Sequence, residues 1–253
     1  MNLFDISGKR AIVTGGAQGL GKGAAEGFLE SGAKVCLLDI NPKVVEVAQE
    51  YTEQGYEATA VIADVRDDKK REEAFSEAIS ALGGLDILVN AAGVQRRHPS
   101  TEFPMEDWDF VLDVNLRSVF GLCQAAGCYF IGNNQPGKII NFASMLSYFG
   151  GFTVPAYAAS KGAVMQLTRA LCNEWAELGI NVNAVAPGYM ATEMNTALMD
   201  ESNPRYAEIT SRIPANSWGS PDDMKGPLVF LASKASNYLN GAIIPVDGGY
   251  LSK

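Results

Sequence analysis

At 253 residues the chain is long enough for one large open-sheet domain and too short for a dinucleotide domain plus a separate catalytic domain of similar size. Hydrophobic residues make up 47% and charged residues 19%, which excludes a disordered chain and supplies a sizeable core. A formal net charge of −9 argues against nucleic-acid partners, which are held mainly by lysine and arginine, and the single histidine, His98, excludes a multi-histidine metal site.

In chain order, the opening MNLFDISGKR lacks the basic and apolar regions of a signal peptide, and no later apolar run approaches the ~20 residues of a bilayer span, so a cytoplasmic location without a membrane partner is expected. The first strand is predicted over Arg10–Thr14. It runs into Thr14-Gly15-Gly16-Ala17-Gln18-Gly19-Leu20-Gly21, and a helix follows through about Glu30. Small residues between a strand and a helix let the backbone approach a pyrophosphate at the helix N-terminus. The second strand, Lys34–Asp39, ends in a carboxylate about 20 residues beyond the turn, placed to accept hydrogen bonds from the adenosine ribose hydroxyls. Asp39 would repel a 2′-phosphate, and neither Gln18 nor Ile40 offers the cation that NADP favours, so NAD is the expected cofactor. Asp39 is equally suited to capping a helix that starts near Pro42.

Further strands are predicted over residues 57–63, 85–90, 138–143, 181–186 and 242–246, with helix-length segments between nearly all of them. Most are apolar throughout, which suits strands covered on both faces. The fold expected is α/β: one Rossmann-like, doubly wound parallel sheet of about seven strands flanked by helices, spanning 1–253 as one domain. The four cysteines, Cys36, Cys123, Cys128 and Cys172, form no CxxC pair, lie among apolar residues, and read as buried reduced thiols.

After the fourth strand stands Val94-Gln95-Arg96-Arg97-His98, a basic cluster on an acidic chain. Arg96 and Arg97 suit an anionic, carboxylate-bearing substrate, because a guanidinium fork binds a carboxylate with two hydrogen bonds; a solvated pair or an interface salt bridge is the other reading. Asn115 falls inside an apolar stretch that reads as a buried helix, where its amide needs partners such as a bound water. Beyond the fifth strand comes Ser144-(x12)-Tyr157-(x3)-Lys161. Tyrosine and lysine at i, i+4 on a helix point the same way, and an ammonium beside a phenol favours its anion. Tyr157 would exchange the proton of a secondary alcohol as hydride moves to or from a nicotinamide, while Ser144 hydrogen-bonds the developing alkoxide and orients the substrate. The polar, breaker-containing stretch 190–218, following a strand end, is predicted to be a small helical substrate lid.

Taken together, Thr14-Gly15-(x3)-Gly19-x-Gly21, Asp64-Val65, Asn90-Ala91-Ala92-Gly93, Asn115, Ser144, Tyr157-(x3)-Lys161 and Pro187-Gly188 resemble the short-chain dehydrogenase/reductases over essentially the whole chain. The resemblance implies that Asp64 and Val65 contact adenine, that Asn90, Ala91, Ala92 and Gly93 support the cofactor, and that Asn115 holds a water in a proton relay. It implies that Lys161 also binds the nicotinamide ribose, and that Pro187, Gly188, Met190 and Thr192 line the nicotinamide end, with Thr192 bonding the carboxamide. Gln95-Arg96-Arg97-His98-Pro99 and 186–192 look like the branch acting on sugar acids such as 2-keto-3-deoxygluconate, 2-deoxygluconate or gluconate. Ala215-Asn216-Ser217-Trp218 departs from it, lacking the Gly-Arg that commonly precedes this tryptophan. A 3-oxoacyl-carrier-protein reductase and a non-catalytic dinucleotide sensor are the competing readings; Gln18, Asp39 and the −9 charge oppose the first, and the Ser-Tyr-Lys set opposes the second. Family members are usually homotetramers, and residues 118–131, 158–171 and 243–246 are apolar enough to serve as contacts.

Overall fold

The computed structural model describes residues 2–200 and 202–253. Seven strands form one parallel sheet: β1 (Arg10–Thr14), β2 (Lys34–Asp39), β3 (Ala58–Ile62), β4 (Ile87–Asn90), β5 (Gly137–Phe142), β6 (Ile180–Pro187) and β7 (Ile243–Val246). Their order across the sheet is β3-β2-β1-β4-β5-β6-β7. Every strand read from the sequence is present, with ends shifted by at most a residue or two. A Rossmann-like fold follows, and its chain reverses direction across the sheet between β1 and β4, where the carboxyl ends of the two strands diverge and leave a crevice.

The apolar character of the strands has a direct structural cause, because successive side chains point to opposite faces and both faces are covered. On one face Ala11, Val13, Val35, Leu37 and Val89 pack with Phe28, Val44 and Leu228, which lie on α1 (Gly19–Glu30), α2 (Lys43–Glu53) and a later helix, 225–232. On the other, Ile12, Cys36, Leu38, Leu88 and Ile139 pack with Phe75, Leu122, Val164 and Leu171 from α3 (Asp68–Leu82), α5 (Ser118–Gly132) and α6 (Pro155–Trp175). A shorter α4 (Met105–Leu112) passes into α5 through a single π-helical stretch, Asp113–Arg117. No helix among the described residues is long and apolar enough to cross a membrane.

The excursion expected over 190–218 is closed at its base, since Met190 pairs with Gly219 and the Ala191 N–H donates to Gly219 O at 2.7 Å. It carries α7 (Thr196–Met199) and α8 (Pro204–Arg212), and α9 (Lys225–Ala232) follows it. Ile209 and Ile213 of the excursion form a separate small core with Met145 and Tyr250. The cysteine expectation needs one correction: Cys36 and Cys123 are buried and Cys172 is half-buried, but Cys128 is exposed on α5. Burial pushes the Cys36 and Cys123 thiols up to about 12, so both are unreactive.

Polar groups inside the sheet hold β4 against β5. Asn90 Nδ2 donates to Asn141 Oδ1 at 2.9 Å, and Asn141 Nδ2 donates to Thr168 Oγ1 on α6 at 3.0 Å. All three side chains are buried, so removing the middle one leaves Asn90 Nδ2 with only the weakly accepting Cys123 sulfur at 3.3 Å and takes from Thr168 Oγ1 its donor, leaving it the bond to Val164 O at 2.8 Å. Asn141→Ala is expected to destabilise the protein by about 2–4 kcal/mol, measurable as a lower urea midpoint with an unchanged m-value.

Candidate active site

The crevice opens into a cleft of about 400 Å³ floored by the glycine turn. Gly15 has φ +70°, and a Cβ there would stand 2.9 Å from the Ala92 backbone; at Gly21 a Cβ would meet Gly15 O at 2.1 Å. Glycine is thus imposed by contact as well as by conformation. Thr14 Oγ1 ties the turn to the end of β4 by accepting from the Ala91 and Ala92 N–H groups, both at 3.1 Å. Helix α1 begins beyond Gln18 with no side-chain cap and no acid in its first turn. Its leading N–H groups therefore face the cleft with the donor character that binds a pyrophosphate.

Gly15, Gln18, Gly19, Leu20 and Gly21 line this floor, and Asp39, Ile40, Asp64 and Val65 line the wall above the ends of β2 and β3. Asp39 is doubly engaged: Oδ2 accepts from Ala17 N–H at 3.0 Å and Oδ1 from Asn41 N–H at 2.9 Å. It is no cap for α2, and its charge holds the glycine turn in shape. The Asp64 carboxylate is gripped by Arg66 (Nε at 3.0 Å, Nη2 at 2.6 Å), which holds it below the usual carboxylate range. Arg66 also lies 5.0 Å from the Phe110 ring, so a guanidinium shares the wall expected to present a free carboxylate.

At the other end of the cleft lie Ala91, Ala92, Gly93, Ser144, Tyr157, Lys161, Pro187, Gly188, Met190 and Thr192. Tyr157 and Lys161 face it from the first turns of α6, with the Lys161 Nζ 5.7 Å from the Tyr157 ring centre. Ser144 Oγ accepts from Leu146 N–H at 3.1 Å. Ser147 Oγ accepts from Ser144 N–H at 3.2 Å and donates to Lys161 O at 2.7 Å. Ser147 therefore couples the serine loop to α6, a role that the S-x-x-S spacing after a strand could have signalled.

Four residues expected at the site do not line the cleft. Asn90 is buried beneath it in the β4–β5 network, supporting the turn from below. The Asn115 amide gives both hydrogens to protein, Nδ2 donating to Val94 O at 2.9 Å and Ser160 Oγ at 3.1 Å, while Oδ1 accepts from Val94 N–H at 2.8 Å. It braces the loop after β4 against α6 rather than gripping a water through its NH₂. Arg96 is neutralised by Asp107, which also takes the His98 Nε2 contact at 2.6 Å. Only Arg97 of the basic cluster lacks a carboxylate partner among the described residues.

The family model described as enoyl-(acyl carrier protein) reductase matches residues 15–251. A 2-dehydro-3-deoxy-D-gluconate 5-dehydrogenase of Escherichia coli is 46% identical over 253 residues, covering 100% of this chain and 99% of that protein. The chain belongs to the short-chain dehydrogenase/reductase family. A 5-keto-D-gluconate 5-reductase of E. coli is 43% identical, covering 99% and 98%. A solved gluconate 5-dehydrogenase of Burkholderia cenocepacia, in complex with NADP and tartrate, superposes with a TM-score of 0.95 at 39% identity, covering 100% of this chain and 98% of that one. As a short-chain dehydrogenase/reductase the chain uses a nicotinamide dinucleotide, and the glycine floor, the uncapped α1 terminus and Asp39 fit that group.

Burial shapes the electrostatics of this site. Burial raises the Tyr157 phenol above its ordinary value, with the Ser144 hydrogen bond pulling the other way, so the chain's own groups leave it protonated at neutral pH. Desolvation pushes Lys161 down to about 8. Its ammonium, donating to Phe142 O at 2.6 Å, is buried. Because the folded value lies below the ordinary 10.5, the cost of burying the charge is complete below about pH 8 and fades as pH rises towards 10.5. Lys161→Met should therefore be inactive yet more stable than the parent at pH 7, by about 1–3 kcal/mol after the lost hydrogen bond is counted. Urea unfolding at pH 7 and pH 10 checks this; the gain should shrink at the higher pH.

Proposed function

We propose that the protein is an NAD(H)-dependent dehydrogenase of a sugar acid, such as 2-keto-3-deoxygluconate, 2-deoxygluconate or gluconate, built as one oxidoreductase domain with its lid at 190–218. The observation that carries this reading is the convergence of Ser144, Tyr157 and Lys161 on one cleft with the glycine turn and the uncapped N-terminus of α1. Both E. coli relatives act, by their names, on gluconate derivatives, and tartrate, a hydroxy acid, accompanies NADP in the Burkholderia structure.

In this reading the first turn of α1 holds the pyrophosphate, Asp39 the adenosine ribose, Lys161 the nicotinamide ribose, and Thr192 the carboxamide. The bound oxidised nucleotide supplies the hydride acceptor and a positive charge beside the phenol. Tyr157 takes the alcohol proton, and Ser144 donates a hydrogen bond to the substrate oxygen as its charge develops. That oxygen becomes a carbonyl as hydrogen leaves carbon; in the opposite direction Tyr157 returns the proton. Tyr157→Phe should lower kcat by about 100- to 10,000-fold, while fluorescence titration shows NADH binding nearly intact. Near-normal turnover would remove the phenol from the mechanism.

The preference for NAD rests on Asp39, flanked on the cleft by Ile40 and Asn41 rather than a cation. NADP in the solved relative makes this the discriminating measurement. Asp39→Asn keeps one acceptor oxygen for the Ala17 N–H while giving up the charge and the acceptor for the Asn41 N–H, so it should improve NADPH binding by about tenfold and weaken NADH binding. Exposed Phe120 and Ile131 on α5 support assembly as a homotetramer.

A further inference from the structure

Three hydrogen bonds close a ring behind the reacting serine. Ser147 Oγ accepts from the Ser144 N–H at 3.2 Å and donates to the Lys161 carbonyl at 2.7 Å, while Lys161 Nζ donates at 2.6 Å to the carbonyl of Phe142, two residues before Ser144. A backbone N–H can only donate and a carbonyl can only accept, so both roles of the Ser147 hydroxyl are fixed by its partners. Its one hydrogen belongs to the Lys161 oxygen.

The same turn decides what Ser144 has left to offer. Its N–H is taken by Ser147 Oγ, its carbonyl accepts from the Ser147 N–H at 2.9 Å, and its own Oγ accepts from the Leu146 N–H at 3.1 Å. What remains unspent is the hydroxyl hydrogen, on a side chain that lines the cleft with Tyr157. Of the two parts that the ring joins, α6 is the rigid one, packed into the sheet core by Val164 and Leu171. The serine loop is tied to residue 161 at two points, the buried ammonium and the Ser147 hydroxyl. In the dehydrogenase reading the ammonium has a second duty, the nicotinamide ribose. Ser147 does not line the cleft, so its tie is independent of what the cleft holds.

We infer that Ser147 is a positioning residue for hydride transfer: its hydroxyl fixes the Ser144 backbone against α6, so that the Ser144 O–H stays aimed at the substrate oxygen while the ammonium serves the cofactor. Ser147 touches no reacting atom and acts through Ser144. Misplacing a reacting group by about 1 Å can cost about 100-fold in rate, so a single bond at the back of the turn is enough to matter. This inference rests on the dehydrogenase reading of Ser144, Tyr157 and Lys161 and adds to it a residue outside the cleft.

The test uses the full-length enzyme with Ser147→Ala, Ser147→Thr, Ser144→Ala and the Ser144→Ala/Ser147→Ala double variant. KM and kcat are measured on 5-keto-D-gluconate and on an acetoacetyl thioester, and NADH affinity by fluorescence titration. Ser147→Ala should lower kcat by about ten- to thirtyfold, with KM and the NADH Kd changed by less than about threefold. Ser147→Thr keeps the hydroxyl and should restore most of kcat. Because Ser147 acts through Ser144, its removal from the Ser144→Ala enzyme should cost no more than about twofold. Undiminished kcat in Ser147→Ala, a loss carried by KM or by NADH affinity, no rescue by threonine, or a further drop of about tenfold in the double variant would overturn the assignment. A parent enzyme that reduces the thioester and not the sugar acid brings down the sugar-acid reading alone, and the thioester then reads the Ser147 variants. One that reduces neither brings down the dehydrogenase reading itself.

Discussion

One charge governs the architecture of the reacting end: the Lys161 ammonium, buried and bonded to the backbone oxygen that ends β5. A cation there is costly, and the fold tolerates it because everything around it is fixed by other forces. Helix α6 is held to the sheet by Val164 and Leu171 on its apolar stripe. Ser147 fastens the loop after β5 to the Lys161 carbonyl, and Gly93 passes so close that a methyl group there would sit 3.7 Å from Nζ. Packing energy from the whole sheet thus sustains a locally unfavourable group, which is the usual condition of a catalytic site.

Where the cleft needs charge neutralised, a carboxylate is supplied; where it needs charge available, none is. Arg66 is held by Asp64 and Arg96 by Asp107, and each also lies against the Phe110 ring. Of these two half-discharged guanidinium groups, Arg66 stands in the cleft wall and Arg96 outside it. Lys161 meets only a neutral carbonyl, and Arg97 only a neutral amide oxygen.

Much of this was legible in the sequence because it depends on short-range rules. Apolar runs such as Leu88-Val89 specify buried strands, tyrosine and lysine four residues apart must share a helix face, and small residues between strand and helix mark a close backbone approach. What escaped was set by the directions of individual side chains. Arg96 and Arg97 look alike in a string of letters, yet adjacent residues on an irregular loop diverge, and only the fold reveals that Asp107 stands beside one of them. Asn115 could be recognised as buried, but its partners, Val94 and Ser160, come from distant segments meeting at the π-helical turn. Asn90 resembles a cleft residue by its place at a strand end, and alternation turns it inward instead. The burial that raises the Tyr157 phenol is likewise visible only in the fold.

The pairing of Met190 with Gly219 brings the two ends of the excursion together at the foot of β6. A segment whose ends already meet can be lengthened, shortened or exchanged at little entropic cost to the rest of the chain. Ile209 and Ile213 keep their contacts in a core of their own, separate from the two layers that hold the sheet. Evolution could accordingly swap this cassette for another and redirect the enzyme to a new metabolite, leaving Ser144, Tyr157 and Lys161 where they stand.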